Sequence, residues 1–263
     1  MSEFSRPVAT TIADALRHIE AREQVRVLFA CESGSRAWGF PSPDSDYDVR
    51  FIYCHPPAWY LALDEAADAL NYPVDDELDL GGWELRKFLR LLRGANAAAL
   101  EWLQSPVIYA EQFDFRARLR PWLAACARPQ AGLAHYLGQL RGGLEADFAG
   151  EQVRLKRLFY ALRAALAARC IWQRPAAGPP PMEFGLLREF LPTKLSAAVD
   201  ELLHEKAVSN EKATVARPAA LLEFLAEEYA AGQAARAELL VAKLPSPTAA
   251  FDGLLRQWVG EAF

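Results

Sequence analysis

Residues 25–53 decide the fold of this chain, and they read VRVLFACESGSRAWGFPSPDSDYDVRFIY. The first six of them are rich in β-branched and aromatic side chains, which predicts a buried strand. Small residues fill the stretch 32–39, which predicts a turn, and prolines and serines indicate a loop over 40–45. Polar and apolar residues then alternate over 46–53, which predicts a second strand.

The second predicted strand opens with two carboxylates, Asp46 and Asp48. Successive side chains of a strand alternate between its faces, so we expect both carboxylates and Arg50 on one face. The opposite face is expected to be apolar and to carry Tyr47, Val49, Phe51 and Tyr53. Two adjacent anions repel each other unless a cation lies between them, and Mg²⁺ prefers carboxylate oxygens. A D-x-D pattern by itself also fits a solvent-facing strand edge.

Gly34 and Ser35 follow the first predicted strand. A glycine lets the backbone approach a phosphate closely, and a serine adds a hydroxyl donor. A helix that begins at this point would add free backbone N–H groups. A Gly-Ser pair alone also fits an ordinary turn.

A third carboxylate, Asp79, lies in a short predicted strand over 77–80, which we expect to end at a pair of glycines. If this strand pairs beside the D-x-D strand, Asp79 joins the first two carboxylates. Three carboxylates can hold two divalent ions. The alternatives for the third position are the neighbouring acidic residues Asp75, Asp76 and Glu77.

The rest of the chain is dominated by helical periodicity. We expect helices over 10–22 and over 83–93, where Trp83 is predicted to face inward. Further helices are predicted near residues 96–104, 112–126, 131–148, 151–173, 183–207 and 218–241. The predicted fold class is therefore α+β, with a small mixed β-sheet followed by a mostly helical C-terminal region. We expect two domains, residues 1–108 and residues 109–263.

Composition narrows the class of protein. Of the 263 residues, 52% are hydrophobic and 24% are charged, which predicts a packed core, and the net charge of −5 argues against a general nucleic-acid coating protein. No apolar run approaches the length of a membrane span, and the first residues lack the apolar core of a signal peptide. The four cysteines form no C-x-x-C pair, so we expect buried free thiols and a cytoplasmic location.

Several motifs together resemble the DNA polymerase β superfamily of nucleotidyltransferases. The motifs are ESGSRAWG (32–39), SDYDVR (45–50), LDLGGWELR (78–86), LEWLQSP (100–106) and RLKRLFYALR (154–163). They are similar to one branch, the bacterial and phage predicted nucleotidyltransferases, which includes proteins associated with RNA repair. The resemblance spans roughly residues 28–173.

The resemblance implies an enzyme that moves NMP from an NTP to a hydroxyl acceptor and releases pyrophosphate. The predicted catalytic and metal-binding residues are Asp46, Asp48 and Asp79, with Mg²⁺ or Mn²⁺ as the metal. The predicted nucleotide-binding residues are Gly34, Ser35, Arg36, Lys156 and Tyr160. Arg36 and Lys156 equally fit a surface arginine and a solvated basic helix face. We expect the helical domain to complete the nucleotide and acceptor cleft.

The partners are the least defined part of the prediction. The nucleotide is an NTP, and the acceptor is an RNA end, a small molecule or a protein side chain, with no membrane partner. The alternative functions are a catalytically silent nucleotide-binding module of the same fold and a phosphohydrolase that uses the same metals on water.

Four neighbouring features complete the sequence-based predictions. Glu32 is interpreted as a hydrogen-bonding support rather than a metal ligand, and Trp38 as a packing residue. Arg50 is expected to form an ion pair with Asp48 or Glu32. A basic cluster is expected on a helix surface, where it could guide an acidic acceptor. Its members are Arg86, Lys87, Arg90 and Arg93.

Overall fold

The computed structural model of this chain describes residues 6–72, 77–239 and 247–263. Its strands are β1 (Arg26–Glu32), β2 (Tyr47–Cys54), β3 (Ala69–Asn71), β4 (Leu78–Glu84), β5 (Ile108–Glu111), β6 (Gln152–Arg154) and β7 (Thr214–Ala216). Its α-helices are α1 (Arg6–Glu23), α2 (Ser35–Trp38), α3 (Pro57–Tyr60), α4 (Leu85–Arg93), α5 (Ala97–Trp102), α6 (Phe115–Leu119), α7 (Leu123–Cys126), α8 (Pro129–Ala146), α9 (Leu155–Gln173), α10 (Phe184–Leu187), α11 (Thr193–Val208), α12 (Ala219–Glu238) and α13 (Thr248–Ala262).

The chain divides into two compact units. The first comprises Met1–Gly34, Asp46–Cys126 and Pro245–Phe263, and the second comprises Ser35–Ser45 and Ala127–Leu244. The predicted domains 1–108 and 109–263 stay a prediction. The compact units follow other boundaries, because β5 pairs with β1 and therefore belongs with the sheet.

A five-stranded mixed sheet forms the centre of the first unit, in the order β3-β4-β2-β1-β5. β2 and β4 run parallel, and the other neighbouring strands run antiparallel. The small mixed sheet followed by a mostly helical region confirms the predicted α+β fold class.

The alternation predicted for β2 is confirmed. Its apolar face is buried in a core with α1, which contributes Ile12, Leu16 and Ile19. The opposite face carries the half-buried Asp48 and Arg50. Burial of one face fixes the strand register, because a slip of one residue would bring charged groups into this core.

The prediction that the strand carrying Asp79 ends at Gly81 and Gly82 is wrong. β4 continues through Gly81 and Gly82 to Glu84. A Cβ atom on Gly82 would lie 2.2 Å from the Phe51 ring, so a glycine is required where these two strands approach each other.

The following helix also begins later than predicted. Trp83 lies in β4, where it is half-buried and stacks on Trp102 at 3.9 Å between ring centroids. Helix α4 begins at Leu85 because the Glu84 carboxylate accepts hydrogen bonds from the backbone N–H groups of Arg86 and Lys87. Such a side-chain cap satisfies N–H groups that have no partner inside the helix.

Three of the predicted C-terminal helices are interrupted. Pro121 lies in a short 3₁₀ turn between α6 and α7, and Pro192 precedes α11. Proline lacks the N–H that a continuous helix requires. Residues 152–154 form β6 instead of the start of a helix, because they pair with β7.

The second unit is built around α9, whose inner residues from Leu155 to Ile171 are buried against α8, α10, α11 and α12. All four cysteines are buried and free, as predicted, and burial raises the pKa of the Cys54 thiol to about 12. In the part of the chain that the structure describes, each helix is too short or too polar to cross a membrane.

Candidate active site

Two of the three predicted catalytic carboxylates lie side by side. Asp48 is the direct partner of Asp79 in the parallel pairing of β2 and β4. Paired residues of neighbouring strands project from the same face of the sheet, about 5 Å apart. The Asp48 and Asp79 side chains are 29% and 32% exposed, so both can be reached from solvent. The predicted pairing of these two strands is confirmed.

Asp79 does not lie near the end of its strand, as the sequence predicted. It is the second residue of β4, because β4 continues through both glycines. Parallel pairing places it opposite the start of β2, where Asp48 is also the second residue.

Of the alternative acidic residues, the structure describes Glu77 alone. Glu77 is exposed, and its backbone carbonyl accepts the Tyr47 N–H at 2.8 Å. Asp75 and Asp76 lie outside the described residues.

Asp46 lies just before β2 and is half-buried. Among residues 6–72, 77–239 and 247–263, no three His, Cys, Asp or Glu side chains form a group that could hold a metal ion. The geometry therefore brings together Asp48 and Asp79 as a pair, and the three-ligand metal site stays a prediction.

Arg50 lies beside the two paired carboxylates. Its Nη2 atom is 2.6 Å from Oδ2 of Asp79 and 3.6 Å from Oδ1 of Asp48, and its Nη1 atom donates to the Asp79 carbonyl at 2.9 Å. The predicted ion pair with Asp48 is confirmed, and the stronger contact with Asp79 was not predicted. One guanidinium therefore offsets the repulsion between the two carboxylates.

Glu32 holds the turn and the D-x-D strand together. Its side chain is fully buried, and Oε1 accepts the backbone N–H of Gly34 at 3.3 Å and of Asp48 at 2.9 Å. Oε2 accepts the hydroxyl of Tyr109 at 2.5 Å. Both oxygens are engaged, which confirms the supporting role predicted for Glu32.

The Gly34 backbone lies close against the Asp48 carboxylate. A Cβ atom at this position would lie 1.7 Å from Oδ2 of Asp48. A glycine is therefore required here because of close approach to a side chain. The Gly-Ser pair in the sequence indicated that a glycine is needed here, but it did not indicate that the Asp48 carboxylate is the close neighbour.

The second predicted group of residues lies in the second unit, beginning at Ser35. The Ser35 hydroxyl donates to Oγ of Ser45 at 3.1 Å, and these two residues are the ends of the loop 35–45. Arg36 donates from Nη2 and Nε to the Ser45 carbonyl, at 2.6 and 3.2 Å. The loop 35–45 is thus closed by its own side chains, and Arg36 is partly engaged in closing it.

Lys156 and Tyr160 lie one turn apart on α9. Nζ of Lys156 is 2.6 Å from Oε2 of Glu211 and 5.8 Å from the centre of the Tyr160 ring. Tyr160 also packs edge-on against Trp38 at 5.0 Å, which confirms the packing role predicted for Trp38. Glu211 accepts the Ser45 hydroxyl at 2.9 Å, so it connects α9 with the loop 35–45.

Two residues of this group had no distinct signal in the sequence. Lys206 is buried, its Nζ donates to the Ser42 hydroxyl at 2.8 Å, and burial lowers the pKa of its ammonium group. Glu211 is the other. Each lies on an ordinary helix or turn, and only long-range packing brings it to the loop. Arg163 shares a helix face with Lys156 and Tyr160 in the sequence, but it is buried, with its guanidinium 4.3 Å from the Trp38 ring, and is not part of a solvated basic face.

The whole chain can be compared with known proteins. A model of the RNA repair pathway DNA polymerase beta family matches residues 8–257, so the chain belongs to that family. It is thus a member of a DNA polymerase β family, and the resemblance seen in the sequence is confirmed.

Two further proteins are similar to this chain. The uncharacterized protein YcgL of Bacillus subtilis (strain 168) is 40% identical over 219 residues, which cover 82% of this chain and 84% of that protein. The crystal structure of a nucleotidyltransferase-like protein from Exiguobacterium sibiricum 255-15 aligns with 86% of this chain and 75% of its own, at 15% identity and a TM-score of 0.31.

Proposed function

We propose that this protein is a metal-dependent nucleotidyltransferase that moves NMP from an NTP to a hydroxyl group of an RNA end. The observation that carries the proposal is the direct pairing of Asp48 with Asp79 beside the Gly34 turn. Membership of the RNA repair pathway DNA polymerase beta family favours RNA over a small molecule or a protein side chain as the acceptor.

The donor set fits Mg²⁺ or Mn²⁺. Carboxylate oxygens are hard ligands, and the Asp48 and Asp79 side chains are each about a third exposed, so a hydrated ion can reach them. Asp46 is proposed as the third ligand. When bound, the metal would neutralise charge on the triphosphate and lower the pKa of the attacking hydroxyl.

The residues of this chain would then position the reactants. The acceptor hydroxyl oxygen would form a bond to the α-phosphorus, and Asp79 would accept the proton of that hydroxyl. The bond between the α-phosphorus and the bridging oxygen of the β-phosphate would break, which releases pyrophosphate. Arg50, which contacts both carboxylates, would hold Asp79 in place. Gly34 would keep backbone atoms clear of the Asp48 carboxylate.

The nucleotide-binding role is proposed for Ser35, Arg36, Lys156 and Tyr160. Lys156 is paired with Glu211, and its side chain remains 31% exposed. A triphosphate carries more charge than one carboxylate and can compete for this lysine. Ser35 would donate to a phosphate, and Tyr160 would contact the sugar or the base.

A second candidate is a catalytically silent nucleotide-binding module of the same fold, and the contacts of Arg50 favour it. Because this guanidinium already offsets the repulsion of Asp48 and Asp79, the carboxylate pair does not by itself require a metal for stability.

A label-transfer assay tests the proposal. The protein is incubated with each α-labelled NTP, Mg²⁺ or Mn²⁺, and RNA of defined ends, a protein lysate or a metabolite extract. We expect label on RNA, with a loss of at least about 100-fold in Asp48→Asn and in Asp79→Asn. Asp64→Asn is the matched control, because Asp64 is exposed and lies outside this site.

Each other outcome has a defined meaning. Full transfer by Asp48→Asn would refute the assignment of the site. Release of NMP or inorganic phosphate without an acceptor would indicate a phosphohydrolase. Tight NTP binding without transfer to any acceptor would favour the silent module.

A further inference from the structure

A cavity of about 380 Å³ lies between α4 and α13 in the first unit. Arg86, Arg90 and Arg93 line it from α4, and the Thr248 hydroxyl lines it from α13. A cavity of this size is within the range that small ligands and single nucleotides occupy. None of the residues proposed above for catalysis or nucleotide binding lines it.

The three arginines lie along one side of α4. They are spaced four and three residues apart, which places them on one helical face. At about 1.5 Å per residue, the row extends roughly 10 Å along the helix axis. The opposite face of α4 is buried through Leu85, Phe88 and Leu92. Burial of that face therefore fixes the side of α4 on which the three arginines lie.

The arginine row has no carboxylate partner among the residues that the structure describes. Arg86 lies 4.8 Å from the centre of the Tyr60 ring, and Arg93 donates to the Thr248 hydroxyl at 3.0 Å. The chain as a whole has five more carboxylates than basic side chains, yet none of those described pairs with these three guanidinium groups. Arginines that line one cavity without an ion pair to a carboxylate suit anions, and their planar forks match phosphate oxygens.

The length of the arginine row favours a chain of phosphates over a single phosphate ion. The row is longer than one phosphate group, and Leu89, Phe251 and Leu255 line the cavity beside it. Single-stranded nucleic acids bind in positively charged grooves that follow the phosphate backbone. Asp252 also lines the cavity and opposes an anion there.

We propose that this arginine cleft, defined by Arg86, Arg90, Arg93 and Thr248, binds the phosphodiester backbone of the RNA strand whose end accepts the nucleotide. The inference rests on the proposed function, because it assigns the acceptor-binding surface of the same reaction. Both α4 and the carboxylate-bearing β4 belong to the first unit, and α4 directly follows β4 in the chain.

Binding of a fluorescent single-stranded RNA, measured by anisotropy without NTP or metal, tests the inference. In Arg90→Gln/Arg93→Gln we expect the Kd to rise at least about 10-fold at 0.1 M salt. Each lost phosphate contact should also reduce the slope of log K against log salt by about 0.7. The matched control is Arg120→Gln/Arg256→Gln, which removes the same charge from exposed positions outside the cavity.

A variant that removes a negative charge from the cavity is expected to have the opposite effect. Among the described residues, Asp252 is the carboxylate that lines the cavity, so we expect Asp252→Asn to lower the Kd for RNA. Equal weakening by both double variants would overturn the inference, because the loss would then reflect net charge alone. Displacement of the RNA by free pyrophosphate at equal phosphate concentration would also overturn it, because the cleft would then prefer a small anion.

The failure of this inference and the failure of the proposed function are distinguishable. Label transfer to RNA with unchanged RNA binding in Arg90→Gln/Arg93→Gln would refute the cleft and leave the enzyme assignment intact. Cleft-dependent RNA binding without transfer of label to any acceptor would support the cleft and refute the enzyme.

Discussion

Gly34 leaves no room for a side chain beside the Asp48 carboxylate, since an added Cβ atom would lie 1.7 Å from Oδ2. The same glycine donates its N–H to Glu32, which also accepts the N–H of Asp48. One buried carboxylate thus fixes both the turn and the start of the D-x-D strand. At the scale of single residues, the candidate site depends on these close contacts.

Substitution Gly34→Ala tests the role of this close approach. We expect nucleotidyl transfer to fall at least about 100-fold, because the methyl group displaces the Asp48 carboxylate from its position beside Asp79. The carboxylate is the end of a flexible side chain, so the free energy of unfolding should fall by no more than about 2 kcal/mol. Label transfer and urea denaturation measure the two effects.

Gly138→Ala is the control for this substitution. Gly138 lies in α8, and an added Cβ atom there meets no atom within 4 Å. We expect unchanged transfer and a gain in stability of up to about 1 kcal/mol. Full activity in Gly34→Ala would show that the position of the Asp48 carboxylate does not matter for transfer.

Substitution Lys156→Gln tests the nucleotide-binding group. If Lys156 contacts the triphosphate, we expect the Kd for NTP to rise at least about 10-fold, because a charge-assisted contact is lost. Lys194→Gln is the control, since Lys194 is exposed on α11. Equilibrium binding of a labelled NTP measures the change, and equal affinity in the two variants would exclude Lys156 from the nucleotide site.

At the scale of elements, interactions between helices stabilise the second unit. Arg169 of α9 forms an ion pair with Glu228 of α12, whose side chain is only 6% exposed. Burial raises the pKa of Glu228, and the Arg169 guanidinium opposes that shift. A carboxyl group with a raised pKa adds to stability below its unfolded pKa, and this contribution is lost as the pH rises through its folded pKa.

Arg169→Met should therefore destabilise the protein in a pH-dependent way. At pH 7 we expect a loss of roughly 3 kcal/mol or more, because the Glu228 carboxylate stays buried without its partner. The loss should shrink at pH 5, since protonation of Glu228 removes the buried charge. Urea denaturation of both proteins at the two pH values measures it, and a loss that does not change with pH would contradict this explanation.

At the scale of the whole chain, the last helix belongs to the first compact unit. Trp258 of α13 is fully buried, its ring centre lies 4.7 Å from that of Phe115, and its indole N–H donates to the Phe113 carbonyl at 3.4 Å. Helix α13 therefore packs within the unit that carries the carboxylate pair.

Trp258→Ala should lower the free energy of unfolding by about 3–5 kcal/mol, because it leaves a large cavity in a buried aromatic cluster. Phe263→Ala is the control, with an expected change within about 0.5 kcal/mol, because the Phe263 side chain is 53% exposed. Thermal denaturation with near-UV circular dichroism compares the two variants. Equal stability would show that α13 is not required for the first unit.

Local patterns in the sequence were enough to predict the parts of the site that neighbouring residues form. Alternation over residues 46–53 predicted β2 and its two faces, and the Gly-Ser turn, the D-x-D motif and the three longer motifs together carried the family resemblance. These features could be read because strand periodicity and turn chemistry depend on neighbouring residues alone. The free state of the four cysteines was also predictable, because their spacings match no C-x-x-C or zinc pattern.

Which residues meet at the site follows from the folded chain and not from local patterns. Asp79 lies opposite Asp48 through the register of a parallel strand pair, and Arg50 contacts both. Lys206 and Glu211 reach the loop 35–45 from more than 150 residues along the chain. Such contacts depend on the packing of distant elements, which local propensity does not encode, whereas the alternation of a strand is set within a few residues.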